Sequence, residues 1–166
     1  MELQRVFNDG SAWQFGPYFD YLREIAPALP PALRAFALDV DRYDLQGAGS
    51  LHDARMSSFT VIKSSVDGSD GATVRLEVVF LDQAFAGELV IVYTGVSGYR
   101  LQESFPLERP GVDVLVHEFA LLEAERFEHR VLFEDGGGYV VTFAGFSCSH
   151  RPLTPSAADA MAAPAA

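Results

Sequence analysis

Thr73-Val-Arg-Leu-Glu-Val-Val-Phe-Leu81, a break at Asp82–Gly87, and Glu88-Leu-Val-Ile-Val-Tyr-Thr-Gly-Val96 decide the fold class. In the first run Val74, Leu76, Val78 and Phe80 share one side while Arg75 and Glu77 take the other, the period-two pattern of a strand with one face toward water. The second run is apolar on both sides from Leu89 to Tyr93, so it has to be central and covered twice. The break between them is short enough for a hairpin, which makes the two strands antiparallel neighbours.

Outward from this pair the same period recurs, bounded by turn signals, and predicts further strands over Leu51–Lys63, Val112–Leu122, Phe127–Phe133 and Tyr139–Cys148. Asp67-Gly-Ser-Asp-Gly71 and Asp135-Gly-Gly-Gly138 read as hairpin links. The longer Ser97–Gly111 connection, with Pro106 and Pro110, is where a strand changes partner. Before the strands the period is about 3.6. Tyr18, Phe19, Leu22, Ile25 and Ala26 line one face of a helix in Gly16–Ala26, and Leu33, Phe36 and Ala37 one face of a second in Pro31–Leu38. The expected fold is α+β: N-terminal helices packed on a curved antiparallel sheet of about six strands, in one domain over residues 1–151. Residues 152–166 form an Ala/Pro-rich disordered tail.

The 166 residues suit a single domain, and a 49% hydrophobic content fills its core. With 23 acidic against 12 basic residues the net charge is -11, which leaves no basis for binding phosphate backbones. The single Cys148 can form no intrachain disulfide. With no leader-like or membrane-length apolar run, the chain reads as cytoplasmic, with neither nucleic acid nor membrane as a partner.

Three histidine–carboxylate steps, His52-Asp53, His117-Glu118 and Glu128-His129, carry the residue types of metal and acid–base sites. Neighbouring strand residues face opposite ways, so a site can recruit only one member of each pair. The expectation is therefore no metal, no cofactor and no catalytic residue. Asp135-Gly-Gly-Gly138 leads into a strand rather than a helix, so it is a turn and not a phosphate loop. Cys148 beside His150 reads as a small core residue rather than a nucleophile. Trp13, Phe15, Tyr18 and Tyr21 lie close enough in sequence to stack a ligand, but helical spacing favours core packing.

Charge is segregated. Between Glu103 and Asp135 nine acids (Glu103, Glu108, Asp113, Glu118, Glu123, Glu125, Glu128, Glu134, Asp135) stand against Arg109, Arg126 and Arg130. The first seven are the candidate contact residues for a basic protein partner.

Leu51-His-Asp-Ala54, Tyr93-Thr-Gly-Val96, the His117-Glu118 step and Phe127-Glu-His-Arg-Val-Leu-Phe133 together resemble a loose group of small bacterial β-rich proteins with an LHD-type strand start. Some of these resemble immunity partners of secreted toxins. Two departures stand out, His117 where an acid is commoner and a longer helical N-terminus. The resemblance implies a non-enzymatic protein that neutralises a bacterial toxin by binding it. The rival readings are a globular protein with a small-molecule or structural role, and a metal-assisted hydrolase.

Overall fold

A computed structural model describes residues 2–44, 49–65, 72–102 and 112–153. The Asp67–Gly71 link, the latter part of the Ser97–Gly111 connection with Glu103 and Glu108, and positions 154–166 of the expected tail lie outside the described residues.

Two helices form where the 3.6-residue period places them. Helix α1 (Gly16–Ile25) has Pro17 in its first turn and buries Tyr18, Leu22 and Ile25. A single 3-10 turn (Ala26–Ala28) leads to α2 (Pro31–Ala37), which buries Leu33, Phe36 and Ala37. Ahead of them lies a ribbon that the sequence reading left out, β1 (Phe7–Asn8) paired with β2 (Trp13–Gln14). The Asp9 carboxylate closes its turn by accepting from the Ser11 and Ala12 main-chain N–H groups. These bonds, Ala12's foremost, draw its pKa down to about 2.

The remainder is β3 (Arg55–Ser65), β4 (Ala72–Leu81), β5 (Gly87–Thr94), β6 (Gly98–Gln102), β7 (Val114–Glu123), β8 (Arg126–Phe133), β9 (Gly138–Phe143) and β10 (Gly145–Pro152). The expected single sheet of about six strands is corrected to two four-stranded sheets, β10-β5-β4-β3 and β6-β9-β8-β7, in which every paired neighbour is antiparallel. The cause is one long ribbon that bends. Strand β5 continues into β6, and their partners β10 and β9 are likewise consecutive, so Thr94 faces Gly145 on one side of the corner and Gly98 faces Thr142 on the other.

At that corner Gly95 has φ +59, and a Cβ there would stand 3.0 Å from the Cβ of Ala144. Glycine answers both the backbone sign and the close approach. The predicted strand Tyr139–Cys148 is thus two strands in different sheets, and β6 lies inside what was read as connection. Pro152, assigned to the tail, pairs with Gly87, and the Leu153 N–H donates to the Ala86 carbonyl.

The sheets also meet where β3 and β7 begin, through the Arg55↔Asp113 bridge and the Val114 N–H to Ala54 carbonyl bond. The helices cover the gap between edge strands β7 and β10. Phe36 of α2 packs on Phe146 of β10 (5.3 Å between ring centres), and α1 reaches β7 through two tyrosine side chains. There the hydroxyls of Tyr18 and Tyr21 accept the main-chain N–H groups of Phe119 (2.7 Å) and Leu121 (2.9 Å). Helical tyrosines thus satisfy an edge that would otherwise offer donors to other chains.

The Tyr43 hydroxyl donates to the Ala37 carbonyl, so the bond between the two tyrosine hydroxyls takes its proton from Tyr18. Tyr18→Phe breaks both bonds of that hydroxyl and leaves the buried Phe119 N–H unpaired. It is expected to cost about 2 kcal/mol, read as a lower urea midpoint with faster amide exchange at Phe119.

Candidate functional site

Alternation on β7 and β8 splits the histidine–carboxylate steps. His117 and His129 point into the core, 2% and 0% exposed, and meet at 3.2 Å from His117 Nδ1 to His129 Nε2. His129 Nδ1 lies 2.6 Å from the Tyr93 hydroxyl, which lies 3.0 Å from that of Tyr139. Four buried polar groups from β7, β8, β5 and β9 thereby form one hydrogen-bonded chain. Phe119 stacks on His129 (3.8 Å) and Tyr43 on His117 (4.6 Å). His52 stays apart, its Nδ1 donating to the Leu115 carbonyl.

The surroundings keep both core histidines neutral at pH 7. Burial pushes His117 down to about 3, against the nearby Arg42 carbonyl, which favours the charged ring, and with the Arg42 guanidinium, which disfavours it. Burial and the neighbouring His117 hold His129 well below its usual value. Burial also raises Tyr93 and Tyr139 far above the ordinary phenol range, and Cys148 to about 11, which leaves that thiol a poor nucleophile.

Proton order along the chain follows from what each end can do. If protons run toward Tyr139, its O–H ends in the dry core with no acceptor. If they run toward His117, the leftover donor is His117 Nε2–H. Each order leaves one donor at its end, and the Arg42 carbonyl beside the His117 ring offers the second an acceptor that the first lacks. His117 lines a mostly apolar cavity of about 350 Å³, together with Trp13 and Phe15 from the N-terminal segment, Tyr43, His52 and Leu115.

Among the described residues no group of three or more His, Cys, Asp or Glu side chains is placed to hold a metal ion. His150 pairs with Asp82 at 3.1 Å rather than with Cys148. Tyr18 and Tyr21 serve β7, whereas Trp13 and Phe15 are half-buried and shape the cavity wall.

The acidic candidates do not share one surface. Glu118 needs correction as a surface contact: it is 1% exposed, and its carboxylate accepts the main-chain N–H groups of Gln4, Arg5 and Val6. Half-buried Asp113 pairs with Arg55, and half-buried Glu128 with Arg130. Glu123 and Glu125 are exposed at the β7–β8 turn, while Glu134 and Asp135 are exposed at the β8–β9 turn, the other end of β8. The sequence reading missed Tyr43, Tyr93, Tyr139 and the N-terminal ribbon. Only the ribbon had a local signal, the Asn8-Asp9-Gly10-Ser11 turn between Phe7 and Trp13.

Comparison with protein-family models, with curated proteins and with solved structures finds no match to this chain.

Proposed function

We propose that the chain is a non-enzymatic binding protein whose acidic β7–β8 end docks on a basic protein, most specifically an immunity protein that covers the active site of a bacterial toxin. The observation that carries this reading is Leu122, 50% exposed at the end of β7 and followed by exposed Glu123 and Glu125 in a tight turn, Glu125 at φ +59. An apolar anchor inside an acidic rim is the pattern of a hot spot whose surrounding charges steer the partner.

Helix α1 supports the same end. Tyr18 and Tyr21 meet Phe119 and Leu121 in turn, so the helix and β7 advance together and exposed Glu24 follows toward the turn. Beside it an open groove with Leu29, Pro30 and Phe127 in its walls has Glu125 at its side, which suits an apolar side chain next to a basic one.

The test is rescue of growth on co-expression with the toxic product of the neighbouring gene, followed by binding kinetics at two salt concentrations. Leu122→Ala is expected to raise the off-rate about thirtyfold, the effect of losing an anchor of about 2 kcal/mol. Glu123→Gln with Glu125→Gln is expected to slow association several-fold at low salt and less at high salt, because ions screen beyond ~8 Å at physiological strength. Absence of both rescue and binding, or on-rates independent of salt, overturns the proposal.

A further inference from the structure

We propose that the β4–β5 hairpin end is the interface of a two-fold dimer, in which Phe85 of each copy enters a hollow beside the same hairpin on the other copy. Phe85 lies by Arg55, which bridges to Asp113 just ahead of β7, whereas the acidic turn follows the end of β7. The surface is therefore at the other end of that strand and does not depend on the docking proposed above.

The knob sits on a strained backbone. The Phe85 N–H donates to the Asp82 carbonyl and the Asp82 N–H to the Gly87 carbonyl, a tight turn that leaves Phe85 at φ +54. That region suits glycine or asparagine and is unfavourable for a bulky side chain. No burial compensates within the chain: Phe85 is 50% exposed, with the Arg55 guanidinium 5.2 Å from its ring centre. A strained position that presents a braced aromatic ring to water has the character of an interface anchor.

The hole adjoins the knob. Ala84 and Ala86, the two neighbours of Phe85, line a hollow of about 530 Å³ together with Gly49, Arg42 and His150. The His150 imidazole lies over Gly87, where a Cβ would run into it, and pairs with Asp82, so a half-exposed flat ring forms part of the wall. Small residues leave room for a phenyl ring, and an imidazole and a guanidinium are groups that stack on one, as Arg55 already does with Phe85.

Two observations select a second copy as the occupant. Knob and hole share one patch, so a two-fold axis through it seats both rings at once and closes the assembly at two chains. The other is charge. The chain carries -11 overall, yet around the knob Asp82 is bonded to His150, Glu88 to Arg151 and Asp113 to Arg55, at 3.1, 2.9 and 2.9 Å. These carboxylates are engaged within the chain, and two copies meet through a ring rather than through like charge.

The experiment is sedimentation of the full chain at pH 7 from about 10 μM to about 1 mM, the range for a small interface with two anchors. The chain is expected to pass from monomer to dimer and no further, with amide resonances of Ala84, Ala86 and His150 moving over the same range. Added salt is expected to tighten the dimer, because ions screen the repulsion between two chains of like net charge. Phe85→Gly removes the knob and suits the backbone at φ +54, so it is expected to weaken self-association at least tenfold without destabilising the monomer to urea. Ala84→Leu fills the hollow from an exposed position and is expected to weaken it similarly. The proposal is overturned if the chain stays monomeric at the highest concentration, if association runs past the dimer, or if salt weakens it. It is equally overturned if either variant associates as the parent does, or if Phe85→Gly lowers the urea midpoint of the monomer, which would mean that the ring serves its own fold.

Discussion

Lowering the pH from 7 to 5 is expected to remove about 2 kcal/mol of folding stability through His117, with His129 acting in the same direction. Both rings are buried and held below the ordinary histidine value of 6.5, His117 at about 3. In the unfolded chain both take up a proton as the pH passes 6.5, while in the folded protein neither does. The unfolded state therefore binds more protons in this window. The stability is fully present above 6.5 and is lost as the pH falls toward the folded-state values, at about 1.4 kcal/mol per pH unit per ring.

The Arg42 carbonyl favours a charged His117 ring, but burial outweighs it. The neighbours are Tyr43, Phe36, Phe119, Tyr93 and Tyr139, with Arg42 as the nearby charge, and the Glu118 carboxylate next in sequence is turned away and engaged. Urea unfolding at pH 7, 6 and 5 measures the loss. His117→Gln, which cannot titrate, should lower the pH slope whatever it does to stability at pH 7. An unchanged slope would mean that His117 takes up a proton inside the folded protein.

Pattern in the chain marks the strands of the two large sheets except β6, with β9 and β10 run together, and passes over the β1–β2 ribbon. The alternation of Val74, Leu76, Val78 and Phe80 became β4, and the doubly apolar Leu89–Tyr93 became the core of β5, paired on both sides. The corner between the sheets was also written in the sequence, as a slip in parity. Buried positions run Tyr139, Val141, Phe143 and then Phe146, and on the partner Leu89, Ile91, Tyr93 and then Val96. Each series skips a residue beside Ala144-Gly145 and Gly95. A period-two reading that tolerates one slip sees a single long strand, and hence a single sheet.

The site was half legible for a related reason. Alternation separated His117 from Glu118 and His129 from Glu128, which excluded the paired ligand reading. That His117 and His129 face each other depends on the β7–β8 register, which sets His129 opposite Phe119 and leaves His117 one inward-facing step away. The tyrosines that complete the chain come from β5 and β9, and sequence spacing carries no trace of that meeting. The acidic surface failed at Glu118 because net charge counts a buried, fully bonded carboxylate the same as a solvated one.

Glu118→Ala is expected to cost about 3 kcal/mol or more and to free the N-terminal segment, since removing one partner of a buried, charge-assisted network leaves the others desolvated. Oε1 accepts the Gln4 N–H at 2.6 Å and Oε2 those of Arg5 and Val6 at 2.9 and 3.1 Å, so one side chain supplies the acceptors for three successive main-chain donors. Val6 is itself core, 2% exposed, and the Arg5 guanidinium lies 3.6 Å over the Tyr21 ring, so the segment carries packing as well as bonds. Glu118→Gln keeps the shape but turns an amide N–H₂ toward N–H donors, and should recover only part of the loss. Amide exchange at Gln4, Arg5 and Val6 should rise by orders of magnitude in the alanine variant while the β4–β5 amides stay protected. If all amides accelerate together, Glu118 holds the whole fold rather than its N-terminal segment. Because the ribbon carrying Trp13 follows Val6 directly, freeing the segment also unseats the outer wall of the cavity. Glu118→Ala should therefore shift the indole resonance of Trp13, the single tryptophan, at a pH and temperature where the sheets remain folded, and an unmoved resonance would show that the ribbon is held by its own contacts.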